Sequence, residues 1–149
     1  MTYFLDTNIF ISFVKNRQFR HFFKQTYSHN ENGLITSVVV DGEIQSFITR
    51  HKWGFNKRRI LNNIFNQTSI APIKIKKIIE RYAEIDAYSQ GKHPTLKLPM
   101  SARNMGKNDI WIAATASVLG LTLITTDKDF EHLQDVFLNI DFIDIRNFI

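Results

Sequence analysis

From Lys107 to Ala116 the chain reads Lys-Asn-Asp-Ile-Trp-Ile-Ala-Ala-Thr-Ala, and from Leu121 to Phe130 it reads Leu-Thr-Leu-Ile-Thr-Thr-Asp-Lys-Asp-Phe. The first part predicts a helix over 108–119, with Asn108 at its N-cap, Ile112, Ala113 and Ala116 facing inward, and small alanines that allow close packing. Gly120 suits the helix C-terminus. Leu121 to Thr125 then predicts a buried strand. An acid bounds each element: Asp109 at the helix start, Asp127 at the strand end. Carboxylates in such places are costly unless paired or holding a cation. Asp6, after the apolar run Tyr3-Phe4-Leu5, and Glu43, opening another helix, hold similar positions. We read these four acids as converging on one divalent-metal site.

The rest of the chain repeats the alternation of strand and helix. After Tyr3-Phe4-Leu5 and the capping types Asp6-Thr7-Asn8, the residues Ile9, Phe10, Phe13 and Val14 form an apolar face at helical spacing. Taken alone, Asp6 reads better as a simple N-cap. Phe19, Phe22, Phe23 and Tyr27 mark an amphipathic helix over 17–28, and Asn30-Glu31-Asn32-Gly33 marks a turn. Leu34 to Val40 predicts a strand. The helix after it carries Ile44, Phe47 and Ile48, with Ser37 or Asp41 as its cap. Glu43 alone could simply complement that helix's dipole. Gly54 separates this helix from one bearing Ile60, Leu61, Ile64 and Phe65. A short extended piece follows at Ser69–Ile73. A helix over about 75–89 then presents Ile75, Ile78, Ile79, Tyr82 and Ile85. Gly91 to Gly106, with Pro94 and Pro99, predicts a loop. Lys128 to Leu133 predicts a short helix and Ile140 to Ile143 the last strand. Strands alternating with helices imply a parallel sheet covered on both faces. One domain over 1–149 is expected.

Net charge is +5, but residues 1–107 carry 17 Lys and Arg against 7 Asp and Glu (+10), and residues 108–149 carry 2 against 7 (−5). A basic body beside an acidic centre suits a protein that attracts a polyanion and holds metal where the polyanion reacts. Charge alone would favour plain solvated helix faces. Lys92, Lys97, Arg103 and Lys107 lie in the loop entering on Asp109, and are expected to hold a phosphate backbone near that acid. Arg50, Lys52, Lys57, Arg58 and Arg59 surround Trp53-Gly54-Phe55, a mixture suited to nucleic acid or to an acidic partner. No apolar run approaches the roughly 20 residues of a membrane span. The start shows no signal-peptide pattern, so a cytoplasmic protein without membrane association is expected.

The absence of cysteine excludes disulfides, thiolate metal sites and cysteine nucleophiles. His21, His29, His51, His93 and His132 show no short ligand spacing, which argues against zinc. No Gly-x-Ser-x-Gly elbow, Gly-x-Gly-x-x-Gly or P-loop is present. A hard ion such as Mg²⁺ takes oxygen ligands. It lowers the pKa of water and neutralises phosphate charge. Asp6, Glu43, Asp109 and Asp127 could serve it without histidine or cysteine.

Asp6-Thr7-Asn8 after an N-terminal strand, Glu43 on a helix, Asn108-Asp109 before Ile112-Ala113-Ala114, and Thr125-Thr126-Asp127-Lys128-Asp129-Phe130 resemble, in this order, the PIN-domain family. Within it, order and spacing are similar to the VapC-type toxin ribonucleases of type II toxin–antitoxin pairs. The resemblance implies a three-layer α/β/α sandwich with a mainly parallel central sheet. It also implies an endoribonuclease dependent on Mg²⁺ or Mn²⁺, in which water attacks an RNA phosphodiester in line. By position, Asp6, Glu43, Asp109 and Asp127 match the family's acidic quartet. Asp129 matches its accessory acid, and Thr7, Asn8 and Thr126 its polar neighbours. A small antitoxin and a second copy of the chain are the implied partners. Residues 50–107 are long and basic for this branch. Two rivals remain open at this point. One is a PIN-fold module that binds RNA or protein without cutting. The other is a haloacid-dehalogenase-like phosphohydrolase with Asp6 as nucleophile, although Asn8 stands where that class usually has a second Asp.

Overall fold

Phe4 and Leu5 are fully buried, and their strand is the middle of the sheet. The computed structural model describes residues 1–29 and 31–148, so Asn30 of the expected turn lies outside the described residues. Strand β1 (Thr2–Leu5) leads to α1 (Thr7–Lys15), α2 (Arg17–Thr26), β2 (Gly33–Ser37), α3 (Val38–His51), α4 (Phe55–Phe65) and β3 (Thr68–Ala71). Then come α5 (Lys76–Ser89), α6 (Lys107–Val118), β4 (Thr122–Thr125), a 3-10 segment (Lys128–Leu133), β5 (Ile140–Phe142) and a second 3-10 segment (Ile145–Phe148). The sheet order is β3-β2-β1-β4-β5 and every pairing is parallel. Helices α1 to α4 pack as one group and α5 packs along α6. Right-handed crossovers set the two groups on opposite faces, giving the expected α/β/α layers.

This order places a topological switch between β1 and β4. From β1 the chain winds outward through β2 to β3, then returns to β1's other side with β4 and β5. Open α/β sheets bind ligands beyond the carboxyl ends of the strands at such a point. Asp6 follows β1 and Asp127 follows β4, so both acids stand there.

Four local expectations are corrected. The strand predicted over Leu34–Val40 ends at Ser37, and Val38 already begins α3. The β-branched run is overridden because the Ser37 side chain accepts the Val40 N–H and caps the helix, while Val40 packs into the core. Glu43 therefore lies in the second turn, and Asp41 is the acid in the first. Helix α6 begins at Lys107 with Gly106 as N-cap, so Asn108 is inside the helix and does not cap it. On α5, Ile78 and Ile85 are buried, but Ile75 and Ile79 point to solvent, since Tyr82 meets Trp111 of α6 and turns the contact stripe away from them. No described helix is long and apolar enough to cross a membrane.

Candidate metal centre at the sheet edge

Asp6 is the N-cap of α1, and it also stands at the sheet edge among the other acids. Its carboxylate accepts the Thr7 N–H at 2.7 Å, capping α1. Its other oxygen accepts the Thr125 hydroxyl at 2.6 Å. The same Thr125 oxygen accepts the Asp127 N–H at 3.0 Å, so one hydroxyl ties the end of β1 to the end of β4. Asp127 caps the 3-10 segment, accepting the Asp129 N–H at 2.8 Å. Glu43 reaches the site from α3. The Thr7 hydroxyl donates to one of its oxygens at 2.6 Å, and the Asn108 amide donates to the other at 3.3 Å. Asn8 is exposed and Thr126 half-buried, and neither side chain makes a hydrogen bond among the described residues.

Asp109 sits in the first turn of α6, and its carboxylate has no hydrogen-bond partner among the described residues. A Cβ at Gly106 would lie 3.4 Å from one of its oxygens, so the backbone there comes close to the acid. One carboxylate oxygen each from Asp109, Asp127 and Asp129 lies within 4.8 Å of the other two.

Crowding shows in the titration. Burial pushes the Asp6 carboxyl up to about 6, and the charges of Glu43 and Asp127 add to this, against the hydrogen bonds from Thr125 and the Thr7 backbone. Burial likewise pushes Asp109 up to about 7, helped by the charges of Asp6, Asp127, Glu43 and Asp129. The ion pairs among the described residues, Arg81–Glu84 and Arg146–Asp144, lie elsewhere, so none of these acids is ion-paired there. An all-oxygen set of clustered carboxylates outside those ion pairs fits a hard divalent cation. Asp6 is 3% exposed with both oxygens engaged, an arrangement that fixes a carboxylate and does not free it to attack.

The expected phosphate contacts divide. Lys92, Lys97 and Lys107 are exposed, and Lys107 opens α6 two residues before Asp109. Arg103 is half-buried and its backbone N–H donates to the Ser89 carbonyl. Its charge faces His132, which burial, then that charge, lowers to about 4.

The family profile of the PIN domain matches residues 3–136. The chain belongs to the PIN-domain family. No curated protein matches this PIN domain in sequence. Among solved structures it is similar to a VapBC2 complex from Rickettsia felis bound to a promoter DNA fragment, with 20% identity, TM-score 0.73, and coverage of 97% of this chain and 100% of that one. It is also similar to VapBC-1 of nontypeable Haemophilus influenzae (23% identity, TM-score 0.68, 95% and 98% covered) and to FitAcB of Neisseria gonorrhoeae (21% identity, TM-score 0.68, 96% and 97% covered). At these identities the likeness shows the fold.

Thr125 joins two of the acids in the PIN domain, a role that its place in the sequence does not announce. A hydroxyl directly before Thr126-Asp127 at a strand end was the available signal. Its partner, Asp6, is 119 positions away, and nothing local announces that pairing.

Proposed function

We propose that the chain is a divalent-metal-dependent endoribonuclease, using Mg²⁺ or Mn²⁺ to hydrolyse RNA phosphodiester bonds, and the VapC-type toxin of a type II toxin–antitoxin pair. The carrying observation is the cluster at the β1/β4 switch, where oxygens of Asp109, Asp127 and Asp129 lie within 4.8 Å of one another, Asp109 is pushed up to about 7 by burial and four acids, and no ion pair among the described residues involves them. Its placement in a PIN domain supports nuclease chemistry, and the VapBC and FitAcB complexes of like fold support an antitoxin partner.

In this reading Asp109, Asp127 and Asp129 hold the cation, and Asp6 and Glu43 complete its surroundings. A bound divalent ion lowers the pKa of water and neutralises charge on the phosphate. Thr125 and the Thr7 backbone hold Asp6 in one orientation, while Thr7 and Asn108 do the same for Glu43. Lys92, Lys97 and Lys107, with Arg103 behind them, attract the RNA backbone. A second copy of the chain completes the assembly as a homodimer.

The deciding experiment is cleavage of total RNA by the purified chain with Mg²⁺ or Mn²⁺, beside EDTA and Asp109→Asn controls. Asp109 makes no hydrogen bond that asparagine would break, so this variant keeps the fold. Defined fragments that vanish in both controls are expected. Fragments surviving in either control overturn the metal-nuclease reading. Absence of both cleavage and calorimetric metal binding would leave a binding module.

A further inference from the structure

We infer that the chain has a subsite for an unpaired RNA base beside the carboxylate cluster, with Phe142 as its stacking platform and Glu131 reading the base edge; this rests on the ribonuclease reading above. A cavity of about 360 Å³ is lined by Asp127, Lys128, Glu131, Gln134, Ile140 and Phe142. Asp127 is the shared wall, since it also belongs to the group it forms with Asp109 and Asp129. An occupant of the cavity and a phosphate at the cluster are therefore neighbours, as successive parts of one nucleotide chain are.

The lining fits a base. Phe142 is the last residue of β5, an outer strand of the sheet, and is 40% exposed. Part of the ring is open to solvent, and every base has a π-face that stacks on such a ring. The volume is near the lower end for ligand sites, room for one base with part of its sugar and too little for a helix. Lys128 holds its ammonium over this ring, 5.9 Å from the centroid, in a cation–π contact; a base stacking on that face displaces it, on its flexible stem, towards the neighbouring phosphate. Gln134 is already committed, with its oxygen accepting the Ile140 N–H at 2.7 Å and its amide donating to Asp135 at 2.8 Å, so it shapes the wall. The Glu131 carboxylate is exposed and makes no hydrogen bond or ion pair among the described residues. A carboxylate only accepts, so it favours a base with an exocyclic amino group, as when acidic side chains accept from cytosine N4.

The test sequences the ends of total RNA cut by wild type, Phe142→Ala, Phe142→Tyr and Glu131→Gln. It also measures binding of short A, C, G and U oligoribonucleotides to the uncut-competent Asp109→Asn chain with and without each change. Expected is a base preference beside the wild-type cut that Phe142→Ala flattens, with affinity falling on the order of 10-fold. Phe142→Tyr restores both. Glu131→Gln alters which base is preferred and leaves affinity for the best base within a few-fold, and being exposed it carries no folding risk. Unchanged ends and unchanged affinity in Phe142→Ala and Glu131→Gln overturn the subsite while cleavage continues, leaving the nuclease reading intact and the cavity to a protein partner. Neither cutting nor oligonucleotide binding by wild type overturns both.

Discussion

One hydroxyl at Thr125 donates to Asp6 and accepts from the Asp127 backbone, and the side chain is fully buried. Thr125→Val keeps the shape and removes both bonds. A carboxylate oxygen buried without its donor and an orphaned N–H together cost on the order of 2–3 kcal/mol, since bonds to charged groups contribute about 1.5–3. Calorimetric or chemical unfolding in EDTA should show that loss, and metal affinity should fall with it. Asp109→Asn goes the other way. The folded Asp109 titrates near 7 and the unfolded one near its usual acid value, so above that window the fold carries a charge that its neighbours oppose. The metal-free variant should therefore melt roughly 2–6 °C higher than wild type at pH 8, allowing for solvent screening of a half-buried group. The difference should shrink as pH falls from about 7 towards 4, where the wild-type acid takes up its proton. A variant that melts lower at pH 8 would mean that Asp109 is not repelled.

At the scale of elements, His132 fastens the 3-10 segment that carries Asp129 to helix α5. It is buried, with Nε2 at 2.7 Å from the Ser89 hydroxyl and its ring parallel to Tyr88. Its folded value is lowered to about 4, while the unfolded chain titrates near 6.5. Stability from keeping it neutral is present above about 6.5 and is lost as pH falls through that window towards 4. His132→Gln should be less stable than wild type at pH 8, and the gap in melting temperature should narrow between pH 6.5 and 4. A constant gap would show that His132 does not titrate there. Elements were legible where one pattern ruled: Ile9, Phe10, Phe13 and Val14 are all buried on α1, and Gly120 takes a positive φ after α6. Legibility failed where a cap competed with propensity. Val38, Val39 and Val40 look like strand, and Ser37 turns them into helix. That shift carries Glu43 into a second turn, from which it meets Thr7 and Asn108. The acids could thus be named from sequence, but the hydroxyls and amides orienting them depend on how α3 and α6 are phased.

Over the whole molecule, the charge division has a measurable consequence. Lys97 and Lys107 are exposed and unpaired in ion pairs among the described residues, whereas Arg103 is half-buried against His132. Lys97→Glu with Lys107→Glu should weaken RNA binding and flatten its dependence on salt. Each lost phosphate contact removes about 0.7 from the slope of log affinity against log salt for single strands. An unchanged slope would place the RNA path elsewhere.

The switch between β1 and β4 also sets when the site can exist. Thr125 lies 119 positions after Asp6, and β1 waits for β4 as its second neighbour. At translation rates of about 5–20 residues per second, the first acid is made on the order of ten seconds before the hydroxyl that holds it. A growing chain on the ribosome, surrounded by RNA, therefore carries Asp6 and Glu43 but no assembled centre until β4 has been made.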